Sequence, residues 1–230
     1  MPRKRVNSAL HDAIRAVHEW NLDVRQFAIH LTGESQVYEN GDLPGEPGVE
    51  YQMSARFIKN LQILADQDPA RPILVHMKTC GGDFTEGMAI YDAIYCAPNP
   101  IVILNYTHAR SMSSIIFQAA DRRVMMPHSH FMFHEGTLEV SGTYKGTITN
   151  LEWSKKEHPI MVDIYANRMK ERGRYSKIAK ADIKKMLENQ MDKKEDVFLT
   201  AQQAVDWGLA DSIFDGNWAK LTKYVRRRSK

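Results

Sequence analysis

Pro72-Ile-Leu-Val-His-Met77, the pair Gly81-Gly82 and the run from Met88 to Ile94 make a strand, a turn and a helix in succession. Ile101-Val-Ile-Leu-Asn-Tyr106 and the run from Ser111 to Ala120 repeat that order. Both strand segments are apolar at nearly every position, which is the pattern of a strand covered on both faces. Met88, Ile90, Tyr91 and Ile94 mark the first helix, which Pro98 and Pro100 stop, and Met112, Ile115, Ile116 and Ala119 recur at helical spacing in the second. Apolar strands alternating with helices predict an α/β arrangement with parallel pairing rather than an antiparallel sandwich.

Upstream, Phe57, Ile58, Leu61 and Leu64 predict a helix over Ser54 to Ala65, and Phe27 to Leu31 is a short apolar run ended by Thr32-Gly33. Asn40-Gly41, Pro44-Gly45 and Pro47-Gly48 crowd turn signals into a surface loop. Leu10, Ala13, Ile14 and Val17 predict an amphipathic helix from Ser8 to Trp20 behind a basic start. Downstream, Val124 to Met126 and Phe131 to Phe133 are short strand candidates, and a glycine-spaced stretch then leads to a long polar helix from about Asn150 to Arg172. Pro159 should kink that helix. Ala181 to Asn189 reads as a shorter helix. Thr200-Ala-Gln-Gln203 is a capping box opening a helix that Gly208 ends before a last strand around Ala210 to Phe214.

The chain has 230 residues, 43% hydrophobic and 26% charged, which suits a single domain with a buried core. Without the eight cationic residues of the two ends (Arg3, Lys4, Arg5, Lys223, Arg226, Arg227, Arg228 and Lys230) the formal charge of +3 becomes −5. The body therefore lacks the basic balance of a nucleic-acid binder. No stretch approaches the roughly 18 apolar residues that cross a bilayer, and no apolar signal core follows the basic start. A cytoplasmic chain that binds neither nucleic acid nor membrane is expected. Cys80 and Cys96 are expected as reduced, largely buried thiols.

Ser111 falls where a strand ends and a helix begins, a seat for a nucleophile or for a plain N-cap. Gly81-Gly82 sits at the matching turn one unit earlier, where a backbone N–H can approach a ligand oxygen closely or the pair can simply mark a turn. His128, His130 and His134 share one parity and could resemble a metal site. The alternative is one buried, hydrogen-bonded histidine with two partly exposed. Asp196 alone reads as a solvated acid. The residues thus supply a candidate serine, histidine and aspartate with nothing to say that they meet.

Four motifs then align in order: Cys80-Gly-Gly-Asp-Phe-Thr-Glu-Gly-Met-Ala-Ile-Tyr-Asp92, Arg110-Ser-Met112, Met126-Pro-His-Ser-His-Phe-Met-Phe-His134, and Asp196-Val-Phe-Leu-Thr-Ala-Gln-Gln-Ala-Val-Asp-Trp-Gly-Leu-Ala-Asp211. From about Phe27 to Phe214 the chain resembles the Clp protease proteolytic subunit (ClpP) family. The resemblance implies a crotonase-like superhelix of strand-strand-helix units with a protruding handle helix near 150–172. It implies Ser111 as nucleophile, His134 as general base and acid, Asp196 as the group orienting the imidazole, and the amides of Gly82 and Met112 as oxyanion hole. Gly81, Tyr144 and Gly146 would contact substrate, with no metal or cofactor.

The same resemblance implies a serine endopeptidase assembled as a heptameric ring or double ring, acting on unfolded polypeptide delivered by an AAA+ unfoldase. The expected organisation is a basic amphipathic segment at 1–22, a peptidase domain at 23–216 and a basic tail at 217–230. Departures from the family pattern are Cys80 in place of a proline, His108-Ala-Arg110 in place of small residues, a longer Glu135 to Ser141 stretch, an inserted Asn40 to Gly48 loop, a charged extension from Arg174 to Glu195, and a basic helix in place of an apolar pore loop. These departures suit a phage- or prophage-type member. The alternatives carried forward are a crotonase-like acyl-CoA enzyme and a catalytically inactive scaffold or ring subunit.

Overall fold

A computed structural model describes residues 8–33, 46–223 and 225. Most of the predicted Asn40 to Gly48 loop and most of the cationic residues of the two ends lie outside the described residues. The elements are α1 (Ser8–Trp20), β1 (Leu22–Asp23), β2 (Ala28–Leu31), α2 (Tyr51–Gln67), β3 (Ile73–Met77), α3 (Phe84–Cys96), β4 (Ile101–Asn105), β5 (His108–Arg110), α4 (Met112–Ala119), β6 (Arg122–Met125), β7 (His130–Phe133), α5 (Tyr144–Ser154), α6 (Glu157–Glu171), α7 (Lys180–Lys194), β8 (Val197–Thr200), α8 (Ala201–Trp207) and β9 (Ser212–Ile213), followed by a 3-10 turn at Trp218–Lys220.

Six strands form one sheet in the order β1-β2-β3-β4-β6-β9, parallel throughout except for the β1–β2 pair. The apolar runs behave as their composition requires. Ile73, Val75, Met77, Ile101 and Ile103 join the main core with the helices, while Leu74, Val102 and Leu104 join a second cluster on the opposite face. Both faces of β3 and β4 are thus dry, and no polar alternation appears.

After β4 and again after β6 the chain leaves this sheet and continues into a smaller one of order β5-β7-β8. β5 pairs with β7 in parallel, repeating the β4–β6 relation, and β8 closes the sheet antiparallel to β7. Sequence periodicity missed β5, whose three residues His108-Ala-Arg110 look like a polar loop, and β8, which is only four residues long. In β8 Val197 and Leu199 are buried while Phe198 and Thr200 are exposed.

The long helix expected over Asn150 to Arg172 is two helices. The break falls at Lys155 and Lys156, and Pro159 stands in the first turn of α6. In a continuous helix Pro159 would clash with the carbonyl of Lys155 and leave it without an amide partner, whereas in a first turn the missing N–H costs nothing. The capping box at Thr200 and Gln203 forms with both bonds, and Gly208 ends α8 in the left-handed region. Cys96 is exposed at the end of α3, contrary to the expectation of burial, because it faces away from the core as the helix runs out, and Cys80 is half-buried.

Beneath α4 a polar network occupies the interior. Arg123 pairs with both carboxylate oxygens of Asp211 at 2.7 and 3.2 Å and donates to Gln118, while Arg168 donates to the carbonyls of Gln118 and Ala120 at the end of α4. A guanidinium at a helix C-terminus satisfies carbonyls that the helix leaves open, and so α6 is locked to α4.

The outer face of the large sheet is covered by the C-terminal segment: Leu221 is buried there and Trp218 packs beside His76 and Phe214. On this face His30 and His76, paired in register, stack with ring centroids 4.7 Å apart, and His76 Nδ1 lies 2.9 Å from the Tyr106 hydroxyl. Burial holds both imidazoles below their ordinary range, His76 down to about 4. A folded pKa below the unfolded one means that the unfolded chain takes the proton first, so stability falls as pH drops from about 6.5 towards about 4. His76→Phe should flatten the melting temperature against pH across that window, and a slope equal to the parent's would remove His76 from the account.

Candidate active site

The three candidate residues emerge from one end of the small sheet. Ser111 follows β5, His134 follows β7, and Asp196 precedes β8. Because Arg110 is level with Met132, and Phe133 with Val197, the residues just beyond each strand end are neighbours. The Ser111 amide donates to the Met132 carbonyl at 3.2 Å, extending the ladder by one step. His134 Nε2 then lies 2.9 Å from Ser111 Oγ, and His134 Nδ1 lies 3.0 Å from Asp196 Oδ1.

The backbone at Ser111 is unusual. Its φ of 51° and ψ of −133° lie in a region that residues with a Cβ avoid, at a cost of about 1–3 kcal/mol. The strand-to-helix reversal is so tight that the hydroxyl caps nothing, although Ser111 occupies the N-cap position of α4. The capping alternative therefore gives way to the imidazole contact. The turn is held from below, where Ser114 Oγ donates to the Ser111 carbonyl and sits 2.6 Å from the Tyr165 hydroxyl.

Gly81 and Gly82 run beside this turn with φ of 98° and 144°. A Cβ on Gly81 would come within 2.8 Å of the Arg110 carbonyl and of Ser111 Cβ, and one on Gly82 within 2.4 Å of the Val49 backbone. The close approach explains both glycines better than a plain turn does. Val49 bridges Gly82, donating to the Gly81 carbonyl and accepting from the Asp83 amide. Among the described residues the amides of Gly82 and Met112 donate to no acceptor, so both remain open beside the Ser111 hydroxyl.

Nothing in the sequence reading pointed to Val49 or to Glu46. The Glu46 carboxylate lies 2.9 Å from His108 Nε2 and 3.8 Å from the Arg110 guanidinium, tying residues 46–49 to β5. The two family departures at His108 and Arg110 hold the strand that crosses the glycine turn. Of the three same-parity histidines, only His134 turns towards Ser111, while His130 packs against His108 and Phe198.

A cavity of about 440 Å³ opens beside Ser111 and is bounded by Gly82, Met112, His134, the 135–139 stretch and the start of α6. Tyr144 and Gly146, expected to line the substrate path, stand in the first turn of α5, where Thr143 caps the Gly146 amide, and neither borders this cavity. Glu135 to Glu139 border it from that side of the chain.

A hydroxyl, an imidazole and a carboxylate in line, beside two free amides, is the constellation that acyl transfer requires. Comparison with known proteins gives the class: the family model described as Clp protease matches residues 32–217, and the chain belongs to that family. It is similar to the ATP-dependent Clp protease proteolytic subunit of Deinococcus radiodurans, 29% identical over 173 residues that cover 73% of this chain and 76% of the relative. It is also similar to ATP-dependent Clp protease proteolytic subunit 1 of Protochlamydia amoebophila, 32% identical over 73% of this chain and 77% of the relative. The protein is thus a peptidase of the ClpP type.

Strain at position 111 has a measurable consequence. Ser111→Gly should be more stable than Ser111→Ala by about 1 kcal/mol, since only glycine accepts this φ without cost. Thermal melts of the two variants check this, and equal stability would mean that the turn stores no strain.

Proposed function

We propose that the chain is a serine endopeptidase in which Ser111 attacks the peptide carbonyl, His134 takes and returns the proton, and Asp196 holds the imidazole in the required tautomer. The observation that carries the reading is the unbroken contact from the uncapped Ser111 hydroxyl through His134 to Asp196, at 2.9 and 3.0 Å. As the tetrahedral intermediate forms, its oxyanion lies against the amides of Gly82 and Met112, each of which is worth about 3 kcal/mol when lost singly. Collapse expels the amine, which receives the proton from His134. Water activated by the same imidazole then releases the acyl group from Ser111. Gly81, where a Cβ would collide with the Ser111 turn, lets the backbone that carries the Gly82 amide lie against the nucleophile.

The active form is a ring-shaped homo-oligomer. Supporting this, α1 and α5 contribute no buried residue within the single chain, yet they expose Leu10, Ile14, Ile148, Leu151 and Trp153. Helices with unpartnered apolar faces of this kind are covered by neighbouring copies. Enclosure within a ring confines cleavage to unfolded polypeptide threaded into it, and the ATP-dependent relatives support an unfoldase as the feeding partner. α5 and α6 make up the handle, and residues 23–216 the peptidase body. The acyl-CoA alternative fits poorly, because Asp83, Glu135, Glu139 and Glu157 line the cavity and, among the described residues, no lysine or arginine does, which repels a phosphorylated carrier.

A fluorophosphonate probe should label Ser111 in the assembled protein and should fail on His134→Ala. Asp196→Asn should keep the assembly and lower turnover about 10⁴-fold by selecting the wrong tautomer. An assembled protein that takes no label is an inactive scaffold.

Native mass measurement should return several copies of the 26.4 kDa chain. A strict monomer that still cleaves unfolded protein would overturn the ring.

A further inference from the structure

We infer that the cavity beside Ser111 receives the side chain preceding the scissile bond and selects lysine or arginine there. This rests on the serine-peptidase reading above and adds the substrate class. The cavity opens directly at Ser111, Gly82 and Met112, so the group entering it is the side chain adjacent to the attacked carbonyl. Phe84, Met112, Ile115, Leu138 and Met161 supply apolar wall. Asp83, Glu135, Glu139 and Glu157 supply carboxylates on the same lining. A long cationic side chain matches both, with an aliphatic stem to place against the apolar wall and a charged head for the carboxylates.

Among the described residues no lysine or arginine lines the cavity. Its basic side chains are the two imidazoles of His134, which faces Ser111 and Asp196, and His158, 3.9 Å from Glu135. Asp83 accepts the Glu86 amide as the N-cap of α3, a bond that leaves its charge in place. Glu157, at the first position of α6, has its carboxyl raised above the ordinary range. Desolvation is the main cause and the neighbouring Asp83 charge the second, against a hydrogen bond from the Trp153 side chain that pulls the other way. The Asp83 charge adds to the cost of ionising Glu157, and a cation placed beside the two carboxylates lowers that cost. The buried Nδ1 of His158 also lacks a hydrogen-bond partner among the described residues. An apolar side chain in this cavity would desolvate the carboxylates and give nothing back, which is the basis for discrimination.

The test uses the assembled protein and three fluorogenic peptides that differ only in the residue before the scissile bond: lysine, arginine or leucine. Fluorophosphonate labelling of Ser111 is run in parallel. Lysine and arginine peptides should exceed the leucine peptide in kcat/KM by about 10-fold or more. Glu157→Gln should lower the lysine-to-leucine ratio about 10-fold, mostly through KM, and Glu157→Asp should restore part of it. Asp83→Asn, which keeps the cap, should lower the ratio further in combination. A labelled protein that prefers leucine, or variants that scale all three peptides alike, overturn the pocket assignment and leave the peptidase reading standing. An assembled protein that neither takes label nor cleaves any peptide overturns both.

Discussion

The contact between two backbone turns governs this molecule. Ser111 sits at positive φ because the chain must reverse from β5 into α4 within one residue, and the reversal brings it against Gly81-Gly82, where no Cβ can be admitted. That contact fixes three things together: the direction of the Ser111 hydroxyl, the exposure of the Gly82 and Met112 amides, and the packing of α3 on α4. Gly87 extends the same constraint, since a Cβ there would overlap the Met112 side chain. The rest of the interior keeps the contact in place. Arg168 holds the far end of α4, Tyr165 and Ser114 hold its near end, and Val49 holds the glycines from the other side.

A division of labour between the two sheets follows. The large parallel sheet packs apolar side chains on both faces and supplies rigidity, whereas the small sheet buries Ala109, Phe131, Phe133, Val197 and Leu199 in the main core and supplies alignment. Because β5, β7 and β8 present Ser111, His134 and Asp196 at one end, a shift of one register step in either pairing would separate them by a strand rise of about 3.3 Å. A strand as short as the three residues of β5 has few ladder bonds to fix its register. The tie from Glu46 to His108 and Arg110 therefore bears on the chemistry although it touches no reacting atom.

The near-neutral total charge of the sequence conceals a cavity that four carboxylates line. A carboxylate-lined pocket beside the nucleophile favours cationic side chains in the chains it cleaves and disfavours anionic carriers, by the same field. α1 and α5 bury no residue within the chain and leave apolar side chains exposed, whereas the contacts that set the geometry around Ser111 all lie inside it.

The large sheet, the parallel order and helices α2, α3, α4 and α8 were legible because long apolar runs and the 3.6-residue period need no partner to be recognised. The same held for the Thr200 capping box, a local bond pattern. Motif order was enough to place the family and to nominate Ser111, His134 and Asp196 as candidates. Tertiary structure alone decided the rest. β5 and β8 are strands only because β7 lies beside them, since three or four residues hold too little periodic signal. The split between α5 and α6 depended on where a carbonyl met Pro159. Asp83 and Glu157 are 74 positions apart in the chain, one capping α3 and the other opening α6. They share a cavity because α3 and α6 both bear on α4, and charges brought together by packing leave no trace in local sequence.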